Sequence, residues 1–121
     1  MKVIEIAFVG YPVTDLNRAR RFYEGTLGLQ VSRAFGDEKT GWIEYDIGPG
    51  TLSIGNGAPE WKPCTDGASA GLEVENFEDA ISALKTDQCK FIIEPTETPV
   101  CRLAVVADPD GNPVTIHKRK S

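Results

Sequence analysis

Histidine is almost missing from this chain of 121 residues: it carries one, His117, so a site that needs two imidazoles from the same chain is excluded. Cysteine is sparse as well. Cys64, Cys89 and Cys101 are odd in number and contain no CxxC pair, which fits reduced thiols better than a disulfide framework or a structural zinc site. Cys64, beside Pro63, is the one expected at the surface. No apolar run approaches the roughly 20 residues of a membrane-spanning helix, and the N-terminal MKVIEIAFVG alternates instead of forming a signal-peptide block. The sequence also lacks GxGxxG, GxxxxGK(S/T) and GxSxG motifs. Nucleotide-dependent chemistry and a Ser-His-Asp hydrolase therefore have no support. Basic residues are outnumbered, 13 Lys and Arg against 18 Asp and Glu for a net charge of −5. They are scattered singly apart from Arg18-Arg20-Arg21 and Lys118-Arg119-Lys120, so no electrostatic footprint for nucleic acid is expected. These absences leave an acidic cytoplasmic protein with neither a membrane nor a nucleic-acid partner.

What is present is a repeated pattern. Val3 to Val13 is apolar and β-prone, and Thr14-Asp15 supplies a helix N-cap ahead of Leu16, Ala19, Phe22 and Tyr23 at helical spacing. Gly25 and Gly28 close that helix. Strand-like runs then follow at Leu29 to Phe35, Gly41 to Ile47 and Thr51 to Ile54, separated by Gly36-Asp37 and Gly48-Pro49-Gly50. The segment Gly55 to Ala68, GNGAPEWKPCTDGA, is rich in Gly and Pro and reads as a connecting loop, with the linker between the modules at 56–68. After it the order recurs. Ser69 to Val74 reads as a strand, Asn76 as a cap before the stripe Phe77, Ala80, Ile81 and Leu84, and Lys90 to Ile93, Arg102 to Ala107 and Pro113 to His117 as further strands.

TDLNRARRFY aligns with ENFEDAISAL at an offset of 61, matching Asp15 with Asn76, Leu16 with Phe77 and Ala19 with Ala80. The expected fold is therefore α+β in a single domain over residues 1–121. It consists of two tandem β-α-β-β-β modules, about 1–55 and 69–121, forming a curved mixed sheet with a central cleft and helices outside. A ferredoxin-like single sheet competes but accounts for fewer strands.

Two stretches, VTDLNRARRFYEGTLGL and ADPDGNPVTIHK, resemble the signature segments of the vicinal oxygen chelate superfamily, and the resemblance covers the whole chain. That superfamily includes glyoxalase I, extradiol dioxygenases, fosfomycin-resistance thiol transferases, methylmalonyl-CoA epimerase and bleomycin-binding proteins. Its members share a cleft and differ in chemistry, and metal ligands decide which chemistry is available. The resemblance places the ligand positions at Phe8, Ser53 (or Ile54 one residue on), Ser69 and Thr115. None is an imidazole or a carboxylate, so the resemblance implies that the family's metal route is lost, and no cofactor is expected.

The candidate ligand-binding residues are Phe8, Trp42, Ser53, Ser69, Glu73, Arg102, Thr115 and His117; no catalytic or metal-binding residue is assigned. Phe8 either fills the volume a metal would have used or stacks on a flat ligand. Trp42, Glu44 and Asp46 share one strand face, opposite Ile43, Tyr45 and Ile47, which makes Trp42 a candidate aromatic wall or a subunit contact. His117 follows Thr115 on one face, Glu73 shares a face with Ser69, and Arg102 goes with Ala104 and Val106. Trp61, in the long loop, reads as a lid or as an anchor on the protein's own surface. The DPDGN segment reads as the tight turn between the last two strands.

The favoured expectation is a metal-free homodimer that binds a small organic molecule, as bleomycin-binding proteins do. The alternative is a metal-dependent lyase, isomerase or dioxygenase with an atypical ligand set. A third is a structural or regulatory module whose cleft is packed shut around Phe8.

Overall fold

Two β-α-β-β-β units account for the elements found in a computed structural model that describes residues 1–120. The first unit ends at Pro63 and the second begins at Cys64. In the first, β1 (Val9–Pro12) leads into α1 (Leu16–Arg20), which continues as a π-helical turn over Arg21–Thr26. The strands β2 (Arg33–Gly36), β3 (Gly41–Ile47) and β4 (Gly50–Gly55) complete a sheet of order β1-β4-β3-β2, in which β1 alone runs parallel to its neighbour.

The second unit repeats this plan. It contains β5 (Ala70–Glu73), α2 (Phe77–Thr86), β6 (Phe91–Glu97), β7 (Cys101–Ala107) and β8 (Pro113–Arg119), in the order β5-β8-β7-β6 with β5 parallel to β8.

Both helices start as their sequences dictate. Asp15 Oδ1 accepts from Arg18 N at 3.0 Å, and Asn76 Oδ1 accepts from Asp79 N at 3.0 Å, each satisfying one of the open donors of a first helical turn. The apolar face of α1 and its π-helical extension covers Ile43, Tyr45, Leu52 and Ile54, all buried, with Leu16, Ala19, Phe22 and Tyr23. Tyr11, Tyr23 and Tyr45 form a row of stacked rings through this core, with centroids 6.0 and 6.3 Å apart. The buried Tyr45 hydroxyl donates to Glu24 Oε2 at 2.8 Å; burial, and then that carboxylate, push the phenol above its ordinary range. In the second unit Phe77 and Leu84 pack with Ala70, Ala104, Val106, Val114 and Ile116.

The turn between β7 and β8 is a closed hydrogen-bond knot. Asp108 Oδ1 accepts from Asp110 N and Asn112 N, both at 2.9 Å, while Asn112 Nδ2 donates to Asp108 Oδ2. Gly111 supplies the positive φ of 91° that the turn requires. The expected structural role of DPDGN is thus what these residues perform.

The first strand is shorter than its sequence suggests. β-propensity and alternation run from Val3, yet the ladder begins at Val9, opposite Leu52, and β4 itself starts only two residues earlier at Gly50, so Val3 to Ile6 have no strand beside them among the described residues. Val3, Ile4 and Ile6 are left exposed. The expected strand at Leu29 likewise starts only at Arg33. No helix among the described residues is long and apolar enough to cross a membrane.

Candidate functional site

Each sheet buries one face under its helix and turns the other outward, and the candidate residues other than Arg102 sort onto those outward faces. In the first unit β4 sets the register: Ser53 lies between Gly10 and Glu44, and Gly55 between Pro12 and Trp42. Phe8 meets Trp42 edge to face with centroids 5.3 Å apart, so two of the expected residues are in contact. Trp42 stacks on Trp61 at 6.0 Å and 30°. The Trp42 Nε1–H donates to Glu44 Oε2 at 2.8 Å, which fixes the plane of the indole.

Two glycines make this aromatic cluster possible. A Cβ on Gly55 would stand 2.6 Å from Trp42 Cε3, and one on Gly10 would stand 3.2 Å from Trp61 Cη2 and 3.3 Å from Phe8 Cε2. The rings therefore lie directly on backbone. An open pocket of about 420 Å³, with Trp42, Trp61, Phe35 and Ala58 among its walls, borders the pair and is almost wholly apolar. The charged groups beside Trp42 on β2 and β3 are paired with one another. Arg33 reaches both Glu44 and Asp46, with Nη2 2.6 Å from Asp46 Oδ1, and thereby holds both carboxyls below their usual range. The indole N–H of Trp42 adds to the effect on Glu44, and the Thr51 hydroxyl to that on Asp46.

The outward face of the second unit is polar. Ser69 Oγ and Thr115 Oγ1 are hydrogen-bonded to each other at 2.7 Å. Two residues along β8, His117 Nδ1 lies 2.6 Å from Glu73 Oε1, while Glu73 Oε2 accepts from Arg119 N at 2.8 Å. Those two donors, the backbone amide first, hold the Glu73 carboxyl below its usual range. A carboxylate only accepts, so Nδ1–H donates to it. Four of the candidate residues are thus gathered here.

Arg102 is placed elsewhere. Alternation groups it with Ala104 and Val106, and that is the helix side: its guanidinium lies 4.6 Å from the Phe77 ring centroid and pairs with Glu78 of α2. Three residues of the aromatic face were not among the candidates: Gly10, Gly55 and Trp61. A glycine inside a β-strand is the signal that could have pointed to the first two, since it marks a close approach.

A family model described as the Glyoxalase/Bleomycin resistance protein/Dioxygenase superfamily matches residues 5–116. The chain belongs to this superfamily. Solved superfamily folds superpose over nearly the full length. TnmS3, described as an antibiotic binding protein from Streptomyces sp. CB03234, is 21% identical with a TM-score of 0.79, covering 99% of each chain. A glyoxalase/bleomycin resistance protein from the same Streptomyces strain is 22% identical with a TM-score of 0.74, over 93% of this chain and 98% of that one. Virulence protein STM3117 from Salmonella typhimurium is 18% identical with a TM-score of 0.72, over 98% of each. No match is found among curated proteins.

The superfamily's metal positions, as the resemblance assigns them, are occupied by a phenyl ring at Phe8 and by neutral hydroxyls at Ser53, Ser69 and Thr115. Such a set does not fit a divalent cation, which takes imidazole or carboxylate donors. Among the described residues no three His, Cys, Asp or Glu side chains come together as a metal-ligating group. All three cysteines are free thiols, with Cys64 exposed and Cys101 buried.

Proposed function

We propose that this superfamily member is a small-molecule-binding protein that sequesters a drug or metabolite on the aromatic face of its first unit, without a metal-centred reaction. The observation that carries the reading is the Phe8, Trp42 and Trp61 cluster resting on Gly10 and Gly55 beside an apolar pocket of about 420 Å³. That volume lies in the ordinary range for small-molecule sites, and aromatic walls give large contact area at low entropic cost. The donor chemistry at Phe8, Ser53, Ser69 and Thr115 points the same way. The likeness to TnmS3 supports a binding role as well.

The outward face of the second unit, with Ser69 paired to Thr115 and Glu73 to His117, is occupied by its own hydrogen bonds and lies outside the proposed ligand face. A cytoplasmic homodimer completes the reading, with the exposed Val3, Ile4 and Ile6 as apolar surface for a second copy to cover.

Non-denaturing mass spectrometry of protein purified without chelator tests the reading, because it reports subunit count, metal and organic adducts together. A metal-free dimer with an organic adduct is the expected result. One stoichiometric divalent metal per chain would overturn it in favour of a metal-dependent lyase, isomerase or dioxygenase.

A further inference from the structure

Ser53 sits in the middle of the aromatic face, and packing alone does not explain it. The residue is completely buried, and its Oγ has no hydrogen-bond partner among the described residues. Glu44, its neighbour on β3, is already engaged by Arg33 and by the Trp42 indole. Gly10, its neighbour on β1, has no side chain, and the ring edges of Trp61 and Phe8 occupy the space above it. A buried hydroxyl left without a partner is costly, and alanine would fill the same volume without that cost. The hydroxyl therefore marks a place where a polar group is to be met.

The roof over this row comes from the connection after β4. Trp61 is 37% exposed, stacks loosely on Trp42 and has its backbone N–H bonded to Ala58 O at 3.0 Å. The Trp61 indole is one wall of the apolar pocket, and Gly10 and Ser53 pair in the strands beside it.

We infer that the Trp61 indole stands in for the ligand: a planar, uncharged aromatic molecule with a hydroxyl or carbonyl oxygen on its edge displaces it, lies over Gly10 against Trp42, and makes the hydrogen bond that Ser53 Oγ lacks. Planarity follows from the glycine floor and the Trp42 wall. Absence of charge follows from the apolar walls of the adjoining pocket and from Glu44 and Asp46 being already paired with Arg33. The inference rests on the reading of this face as the ligand site and adds the chemical class of the ligand and the residue that masks it.

The test uses 7-hydroxy-4-methylcoumarin as the probe and 1-methylnaphthalene as a flat control that cannot hydrogen-bond. Wild type, Trp61→Ala and Ser53→Ala are titrated, and wild type is also labelled with 5-fluorotryptophan, its two ¹⁹F resonances assigned through Trp61→Phe. Trp61→Ala is expected to bind the coumarin about tenfold more tightly, as it would were the open state about a tenth of the wild-type population. Ser53→Ala is expected to weaken coumarin binding by about three- to tenfold while leaving the naphthalene within about twofold. In labelled wild type the Trp61 resonance moves to its solvent-exposed position as coumarin saturates.

Weaker coumarin binding by Trp61→Ala, or a Trp61 resonance unmoved at saturation, would overturn the inference and leave the aromatic face standing as a site with Trp61 as its wall. The ¹⁹F measurement on wild type decides the matter should Trp61→Ala fail to fold. Failure of both probes to bind any of the three proteins would overturn the inference and the underlying reading together.

Discussion

In the first unit the lateral row on the outward face is Pro12, Gly55 and Trp42; in the second unit the matching row is Glu73, His117 and Leu103. The next row reads Gly10, Ser53 and Glu44 in one and Gly71, Thr115 and Val105 in the other. One ladder thus carries two chemistries. The hydroxyl of Thr115 is matched by Ser69 and the imidazole of His117 by Glu73, so the second face satisfies itself. On the first face the glycines admit three rings, and the hydroxyl of Ser53 is buried without a partner. A repeated fold specifies positions, and what stands at them decides whether a face is at rest or awaits a ligand.

The largest expected effect breaks this contrast directly. Trp42→Ala should weaken coumarin binding by about thirtyfold, the scale of a buried aromatic hot spot, whereas His117→Ala should change it by less than about twofold; fluorescence anisotropy titration compares them. Equal losses would mean that both faces hold the ligand.

A smaller effect concerns the glycines. Gly55→Ala drives a methyl group into the Trp42 ring and should cost about 1–3 kcal/mol in urea unfolding. At Gly71, the second-unit counterpart of Gly10, nothing lies within 4 Å of a new Cβ, and alanine there should stay within about 0.5 kcal/mol of wild type.

Ser53→Ala sharpens the comparison through its sign. Removing an unpaired buried hydroxyl should stabilise the unliganded protein by about 1 kcal/mol. Ser69→Ala, which breaks a pair, should do the opposite by less than that. Differential scanning calorimetry without ligand reads both.

The smallest effect is one of pH. Glu73 is held below its usual carboxyl range by the Arg119 amide and by His117. A depressed carboxyl contributes stability that is present above its unfolded value and lost as pH falls through its folded one. Glu73→Gln should therefore flatten the decline of Tm on the acid side of about pH 4.5 and leave coumarin affinity at neutral pH unchanged.

Much of this architecture was legible from local sequence. The caps Asp15 and Asn76 and the paired helical stripes announced two β-α-β-β-β units, and alternation correctly put Trp42 and Glu44 opposite Ile43 and Tyr45. The first strand was overestimated because propensity in Val3 to Phe8 does not supply a partner, and β4 begins only at Gly50, two residues before the Leu52 that pairs with Val9. Alternation also grouped Arg102 correctly with Ala104 and Val106, but only the position of α2 reveals that this side belongs to Phe77 and Glu78. The burial of Ser53 was illegible for a similar reason. The ring above its β1 neighbour belongs to Trp61, in a segment with no periodicity from which to infer where it lies.

The most direct test of the contrast is a ¹H–¹⁵N chemical-shift map of wild type titrated with 7-hydroxy-4-methylcoumarin. Shifts concentrated at Gly10, Trp42, Ser53, Gly55 and Trp61, with Ser69, Glu73, Thr115 and His117 unmoved, are what the account predicts. Shifts centred on Thr115 and His117, with the aromatic face silent, would contradict it.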